Sequence, residues 1–206
     1  MKTTRQSSTS RRLSLLQAAL DLFSTQGYDG TTTRAIAVRI GVTEALLFKH
    51  FPTKQELLRA VVEEFGPRSL FTPPPSSFET LSVRAALDGF VTQYLDRFWV
   101  NRAFMRMVFT TPKRDQAVFA DTWAEFFKQG LYLYSLLTER IEQGELQPGS
   151  ADAALEIIST ATSGFLQRVL NDEPEDWETA RTQFVMRLLQ VLFDGIQVPQ
   201  SKKIKK

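Results

Sequence analysis

Residues 32–51 read TTRAIAVRIGVTEALLFKHF, and this segment contains the clearest structural pattern of the sequence. Thr32 is placed to cap a helix over residues 33–40, and Gly41 then ends that helix because glycine adopts a positive φ angle without steric cost. Thr43 can cap a second short helix through its side-chain oxygen. Two short helices joined by a glycine turn are the pattern of a helix-turn-helix motif.

The helices on either side must complete the core of this motif, because two such short helices bury too little apolar area alone. The helix before the motif is predicted to carry one buried stripe and to stop near Gly27. The helix after it begins at Thr53, which forms a capping box with Glu56, and runs over about 54–65. The residues predicted to face inward are Leu13, Leu16, Leu20 and Phe23 before the motif, and Ile36, Ile40, Val42, Leu47 and Phe51 within it.

The composition of the 206 residues excludes several classes of chemistry. No cysteine is present, so the chain has no disulfide, no zinc ribbon and no thiol nucleophile. The single histidine, His50, cannot form a multi-histidine metal site. We therefore expect no metal site and no cofactor. No apolar run is long enough to span a bilayer, so we expect no membrane insertion.

The charge is divided unevenly along the chain. Residues 1–63 carry nine lysines and arginines against five acidic residues, a balance of +4, whereas residues 64–206 carry 16 against 18, a balance of −2. A basic segment joined to an acidic body is typical of a chain whose first part binds a polyanion. The polar first residues contain no apolar signal core, so we expect a cytoplasmic location.

The chain is predicted to be all-α, with an N-terminal three-helix helix-turn-helix bundle over residues 11–65 and a C-terminal helical domain over 66–198. The proline-rich run at 72–77 marks the region of the boundary. Residues 1–10 and 199–206 are predicted to be disordered tails, the second of them basic. The C-terminal helices are predicted at about 79–98, 101–110, 116–143, 151–170 and 175–195.

Seven short motifs along residues 11–63 occur in a characteristic order and spacing: QAALDLF at 17–23, GY at 27–28, TT at 31–32, IA at 36–37, GVT at 41–43, LFKHF at 47–51 and KQELL at 54–58. This segment resembles the tetracycline-repressor (TetR) family of bacterial transcription regulators. Beyond residue 65 only the length and the helical pattern agree with the family. The family usually has tyrosine where this chain has Phe48, which lacks the hydroxyl that would bind a phosphate.

The resemblance implies that the second helix of the motif contacts DNA, since its outer face has the size to enter a major groove. The positions implied as phosphate contacts are Thr33, Arg34, Lys49, His50 and Lys54, the positions implied near base edges are Thr43, Glu44, Ala45 and Leu46, and Phe48 lies among them. Lys54 also stands in the first turn of a capped helix, where an anion is favoured, although an ordinary solvated lysine fits the same position.

Two of these residues have a second interpretation. Leu46 is either a modest core residue or a contact to a thymine methyl group. His50 is assigned to backbone contact or packing, because nothing in this segment supplies the partner that a catalytic histidine needs. We therefore predict no catalytic residue.

Aromatic residues crowd the C-terminal domain, and most of them are expected to form its core. The resemblance implies a cavity for an apolar, planar ligand, lined by Phe90, Tyr94, Phe98, Trp123 and Phe127. Gly130 lies within the helix predicted at 116–143, on one face with Phe119, Trp123, Phe126, Tyr134, Leu137 and Ile141. A glycine in mid-helix is unfavourable, so we expect a close helix crossing there.

The last two predicted helices are apolar around too much of their circumference for packing on one side only. Both stripes can be buried within one chain, or one can face a partner. The resemblance implies a dimer interface formed by Ala154, Ile158, Ala161 and Phe165 in the first helix and by Val185, Leu189, Leu192 and Ile196 in the second. Gly164 is small enough to allow close approach there.

The residues and the resemblance together favour a ligand-responsive DNA-binding regulator. The resemblance implies a repressor that binds double-stranded DNA at a palindromic operator as a homodimer and is released by an apolar or aromatic small molecule. The alternative is a small helical enzyme or carrier protein whose basic N-terminal bundle is incidental.

Overall fold

The computed structural model describes residues 8–66 and 80–194, and every regular element in these ranges is helical, which confirms the all-α class. The helices are α1 Ser8–Gly30, α2 Thr33–Arg39, α3 Glu44–His50, α4 Lys54–Phe65, α5 Val83–Val100, α6 Arg102–Thr110, α7 Ala120–Glu142, α8 Ala151–Asn171 and α9 Trp177–Asp194, with a 3-10 helix at Lys113–Phe119. The proline-rich run at 72–77, Ile196, the tail at 199–206 and residues 1–7 of the predicted first tail lie outside the described residues. None of the described helices is long and apolar enough to cross a membrane.

The described residues form two compact units. The first contains residues 8–66 together with 98–129, and the second contains residues 80–97 together with 130–194. Residues 98–129, assigned from the sequence to the C-terminal domain, group with the N-terminal helices because α6 packs along α1.

Helix α1 is the centre of the first unit, where it contacts α2, α4 and α6. Leu16 and Phe23 are fully buried as predicted, and so is Leu15, which the sequence did not place in the stripe. Leu13 is 47% exposed, so the single buried stripe predicted for α1 is wrong. The buried surface is wider and shifted because helices pack on more than one side of α1.

Three threonines begin the helices around the motif, as predicted. The hydroxyl oxygens of Thr32, Thr43 and Thr53 each accept a hydrogen bond from the backbone N–H three residues later, at 3.0, 3.3 and 3.0 Å. Such caps contribute about 0.5–2 kcal/mol each. The cap residues therefore set the starts of α2, α3 and α4.

The turn between α2 and α3 depends on Gly41, whose φ angle is +70°. The Gly41 N–H donates to Val38 and the Val42 N–H donates to Ala37, both at 3.0 Å, which is the paired bonding of a Schellman motif. Ile40 and Val42 were predicted to face inward, but both are only half-buried. They flank the turn, where fewer neighbours cover them than cover a residue within a helix.

Helix α1 bends near its end at Gly27, where it was predicted to stop; this residue has a φ angle of +75°. The Thr31 hydroxyl oxygen lies 3.0 Å from the Leu22 carbonyl oxygen and 2.8 Å from the Gly27 carbonyl oxygen. These contacts stabilise the bend. Thr31 is itself almost fully buried. Its hydroxyl therefore ties the last turn of α1 to the start of α2.

Two polar clusters connect elements within the second unit. The buried Arg140 guanidinium bonds to Glu145 at 2.8 Å, and the other Glu145 oxygen accepts from the Val83 N–H at the start of α5. These bonds hold the pKa of Glu145 below its ordinary value, first through the Val83 N–H and then through Arg140. The second cluster joins α5 to α9, since Asp96 accepts from both Trp177 and Arg181.

Two predictions for α7 are wrong: that its aromatic residues form one packed face, and that another helix crosses closely at Gly130. Trp123 and Tyr134 are exposed, and the buried positions of the second half of the helix are Leu133, Leu136, Leu137 and Arg140. A Cβ atom placed on Gly130 would meet no atom of the described chain within 4 Å, and the same holds at Gly164. Close crossing by another described helix therefore explains neither glycine.

We predict that Thr31→Val destabilises the protein by about 1–3 kcal/mol, because valine keeps the shape but removes the buried hydroxyl that lies within hydrogen-bond distance of the Leu22 and Gly27 carbonyls. Urea unfolding followed by circular dichroism measures this loss. Thr110→Val is the matched control, since the Thr110 hydroxyl also bonds to a carbonyl but lies on the surface. Equal losses for the two variants would contradict the role of Thr31.

Candidate nucleic-acid interface

Helix α3 presents two different faces. Leu47 is fully buried and anchors the helix on the bundle, where α3 packs against α2. Thr43, Ala45 and Lys49 are exposed on the other side, and so is much of the Phe48 ring. The surface predicted to enter a groove is therefore accessible. None of the predicted DNA-contacting residues is buried in the core.

Two basic side chains on this surface have no ion-pair partner among the described residues. Arg34 in the first turn of α2 and Lys49 in the last turn of α3 are both exposed. Two other basic residues of the bundle contact protein groups. Arg39 approaches Asp21 at 3.5 Å, and Arg12 lies 5.3 Å from the centre of the Phe51 ring. Arg34 and Lys49 thus remain available to neutralise phosphates.

A hydrogen bond joins the two helices of the motif at their first residues. The Thr33 hydroxyl donates to the Glu44 carboxylate at 2.5 Å, and both side chains are half-buried. The implied phosphate contact of Thr33 and the implied base contact of Glu44 are therefore coupled in this structure. Sequence spacing alone contains no signal of this bond, because the two residues are eleven positions apart.

Lys54 lies at the first position of α4, as predicted, but its ammonium is held within the bundle. It donates to the Tyr28 carbonyl and lies 4.3 Å from the centre of the Tyr28 ring. Burial lowers the pKa of Lys54 and raises the pKa of the Tyr28 phenol. The phosphate contact of Lys54 stays a prediction, and this lysine also links α4 to the end of α1.

Leu46 and His50, for which the sequence left two interpretations open, are both partly exposed to solvent. Leu46 is half-buried, which is compatible with either a core role or a contact to a thymine methyl group. His50 is also half-buried, with its ring centre 6.2 Å from that of Phe51, as expected for packing.

The residues predicted to line a ligand cavity are distributed over both units. Phe98, Trp123 and Phe127 belong to the first unit, where Phe98 is buried and Phe127 is 69% exposed. Phe90 and Tyr94 belong to the second unit. Phe90 is buried against Tyr132, with ring centres 5.7 Å apart, and burial raises the pKa of the Tyr94 phenol.

Gln116 is a connecting residue that the sequence analysis missed. Its amide donates to the Val108 and Thr111 carbonyls at the end of α6, at 2.9 and 2.7 Å. Its oxygen accepts from the Trp123 indole at 3.2 Å. The 3-10 helix that carries Gln116 packs against α4. Gln116 thus links Trp123 to the helices of the first unit, and no periodic pattern could have indicated it.

Most residues predicted for the dimer interface are buried within one chain. Ala154, Ile158, Phe165, Val185 and Leu189 are all buried, and Ala161 and Leu192 are half-buried. Phe165 stacks on Phe184 at 4.3 Å between ring centres, as part of the packing of α8 on α9. The exposed large apolar residues of the two helices are instead Ile157, Met186 and Val191. Periodicity alone did not distinguish these outward positions from the inward stripes.

Comparison with known proteins matches residues 15–61 to the family described as bacterial regulatory proteins, tetR family. The HTH-type transcriptional repressor Rv3405c of Mycobacterium tuberculosis is 38% identical over 96 residues, which cover 41% of this chain and 51% of that protein. The tetracycline repressor protein class A from transposon 1721 of Escherichia coli is 47% identical over 49 residues, covering 24% of this chain and 23% of the repressor.

A solved structure extends the likeness over the whole fold. The ketosteroid transcriptional regulator KstR2 of Mycobacterium tuberculosis is similar with a TM-score of 0.70 and 21% identity, covering 91% of this chain and 97% of that one. The chain spans about half the length of the first curated relatives that it matches. None of these three similar proteins is named as an enzyme. The helix-turn-helix segment of this chain thus matches the tetR family of bacterial regulatory proteins, and its fold is that of a solved regulator.

Proposed function

We propose that the protein is a DNA-binding transcriptional repressor that binds a palindromic operator as a homodimer and releases it when an apolar or aromatic small molecule binds. The observation that carries the proposal is the exposed outer face of α3, flanked by Arg34 and Lys49, which form no ion pair within the described part of the chain. A helix with one buried anchor and an accessible opposite face can dock in a major groove while the bundle holds it.

Dimerisation explains why such a small reading surface can be specific. One α3 helix offers few side chains to base edges, and two copies related by a two-fold axis read two half-sites about one helical turn apart. The outward side of α8 supplies a surface for the partner. Ile157 is 46% exposed, and Gly164, seven residues along, has open space around its α-carbon. Exposed apolar and small residues allow a second helix to approach closely.

Contacts within the first unit support the proposed release of the operator by a small molecule. The Phe109 ring lies between the rings of Phe98 and Trp123, and its centre is 6.1 Å from the centre of each. Gln116 connects the Trp123 indole to the end of α6, and its 3-10 helix packs against α4. A ligand that displaces Trp123 would shift Gln116 and, through this packing, the helix that carries Lys54. The typical strength of such coupling is about 1–3 kcal/mol, or 5–150-fold in affinity.

The alternative is a helical enzyme or carrier. A catalytic site in the C-terminal helices would require titratable groups that are free to act on a substrate. The described acidic clusters are instead structural, since Asp96 binds Trp177 and Arg181, and Glu145 binds Arg140. The comparison with repressors over the helix-turn-helix also favours regulation.

Lys49→Ala should weaken binding to all duplexes by a similar factor and reduce the slope of log affinity against log salt by about 1, because one phosphate contact is lost. Ala45→Gln should instead change the preferred sequence, because Ala45 lies on the exposed face of α3. Fluorescence anisotropy at several salt concentrations measures both effects. Arg187→Ala, which removes an exposed charge from α9, is the control and should change neither. Identical effects of the Lys49 and Ala45 variants would contradict the assignment.

Ile157→Glu should give a folded monomer with reduced operator affinity, because the charge would be buried against the partner. Analytical ultracentrifugation reports the association state, and circular dichroism verifies folding. Ser159→Glu adds the same charge on another side of α8 and should remain dimeric. Leu189 is only 3% exposed, so Leu189→Glu is expected to unfold the chain rather than separate subunits. An intact Ile157→Glu dimer would place the interface elsewhere.

Trp123→Ala should abolish the effect of a ligand on operator binding while leaving binding without ligand intact. A thermal-shift screen of planar aromatic and aliphatic compounds supplies the ligand, and anisotropy measures operator affinity with and without it. Tyr134→Ala removes another exposed aromatic ring from α7 and is the matched control. A compound that binds the wild-type protein and leaves its operator affinity unchanged would rule out the release mechanism.

A further inference from the structure

The hydrogen bond between Thr33 and Glu44 restricts what each side chain can do at a DNA surface. Its length of 2.5 Å is typical of a hydroxyl that donates to a charged carboxylate. A threonine hydroxyl has one hydrogen, so Thr33 cannot donate to a phosphate while it is bonded to Glu44. The bond instead fixes the direction of the Glu44 carboxylate from a residue on the neighbouring helix.

The second carboxylate oxygen of Glu44 is not used within the protein. Oε2 has no hydrogen-bond partner among the residues that the structure describes, and the side chain is half-buried rather than fully solvated. An ionised carboxylate can only accept hydrogen bonds, and phosphate oxygens repel it. When α3 approaches DNA, this oxygen therefore requires a hydrogen-bond donor on a base.

Cytosine is the base that meets this requirement in the major groove. Its N4 amino group is a donor, and the cytosine edge presents no acceptor there. Adenine also has an amino donor, but its N7 acceptor lies beside it and would face the carboxylate. Guanine presents two acceptors, N7 and O6, and thymine presents O4 and a methyl group. A single fixed carboxylate therefore discriminates in favour of cytosine.

We propose that Glu44 reads a cytosine in each half-site and that Thr33 is the positioning residue that orients the Glu44 carboxylate. The inference rests on the proposed DNA-binding function and specifies one base of the operator. It also gives Thr33 a role other than the phosphate contact implied by the family resemblance. The remaining exposed residues of α3 read or contact the other positions of the half-site.

The test uses the full-length chain. Selection from a random duplex library first yields the preferred palindrome. Four duplexes that differ at one half-site position are then titrated in the same salt. The wild-type protein should prefer cytosine at one position by at least about 5-fold. Glu44→Gln should shift the preference at that position alone to adenine, because a glutamine amide bonds to both N6 and N7 of adenine.

Thr33→Val should reduce the cytosine preference without changing the salt slope, and Thr33→Ser should restore it, since serine keeps the donor. The α2 cap is Thr32, so these variants keep the helix start. Glu63→Gln is the matched control, because it removes an exposed negative charge from α4 and should raise affinity for all four duplexes equally.

A Glu44→Gln variant that gains affinity equally for all four duplexes would overturn the reading of cytosine. A Thr33→Val variant that keeps the full cytosine preference would overturn the positioning role. If the wild-type chain selects no palindrome, the proposed function fails and the inference falls with it. A clear palindrome without this cytosine position overturns the inference alone.

Discussion

The burial of α1 is the constraint on which the first unit depends. Helices α2 and α3 have seven residues each, and isolated helices of that length are unstable in water. They persist because Leu15, Leu16 and Phe23 of α1 form an apolar centre to which the neighbouring helices add their own buried residues. Helix α6 covers a further side of α1. The motif is therefore held in shape by residues that lie outside it in the sequence.

The polar residues of the first unit divide into two groups with different physical roles. Thr31 and Lys54 direct their polar atoms inward, where they satisfy carbonyls at the end of α1. Arg34 and Lys49 have no ion-pair partner among the described residues and face solvent. The Thr33–Glu44 pair lies between these groups, with one carboxylate oxygen bonded to the protein and the other unused. Exposed basic side chains such as Arg34 and Lys49 can neutralise the phosphates of a polyanion.

The apolar residues of α8 and α9, in the second unit, also divide into a group that faces inward and a group that faces solvent. Phe165 and Leu189 are committed to the packing of α8 on α9, so they stabilise the fold of a single chain. Ile157 and Met186 leave apolar surface exposed on the same two helices. Apolar residues around most of the circumference of these two helices thus divide into buried and exposed groups, and only the packed structure shows which residues belong to each group.

The features that can be predicted from the amino-acid sequence are local ones, whose causes lie within a few residues. The caps at Thr32, Thr43 and Thr53 and the turn at Gly41 require only the nearby backbone, so all four were predictable. The short motifs also predicted the family that residues 15–61 match. Other features depend on residues that are distant in the chain. The exposure of Leu13, the link through Gln116 and the outward position of Ile157 follow from which helices pack together. Periodicity identifies an apolar face but not the neighbour that covers it, because burial is a property of the assembled helices.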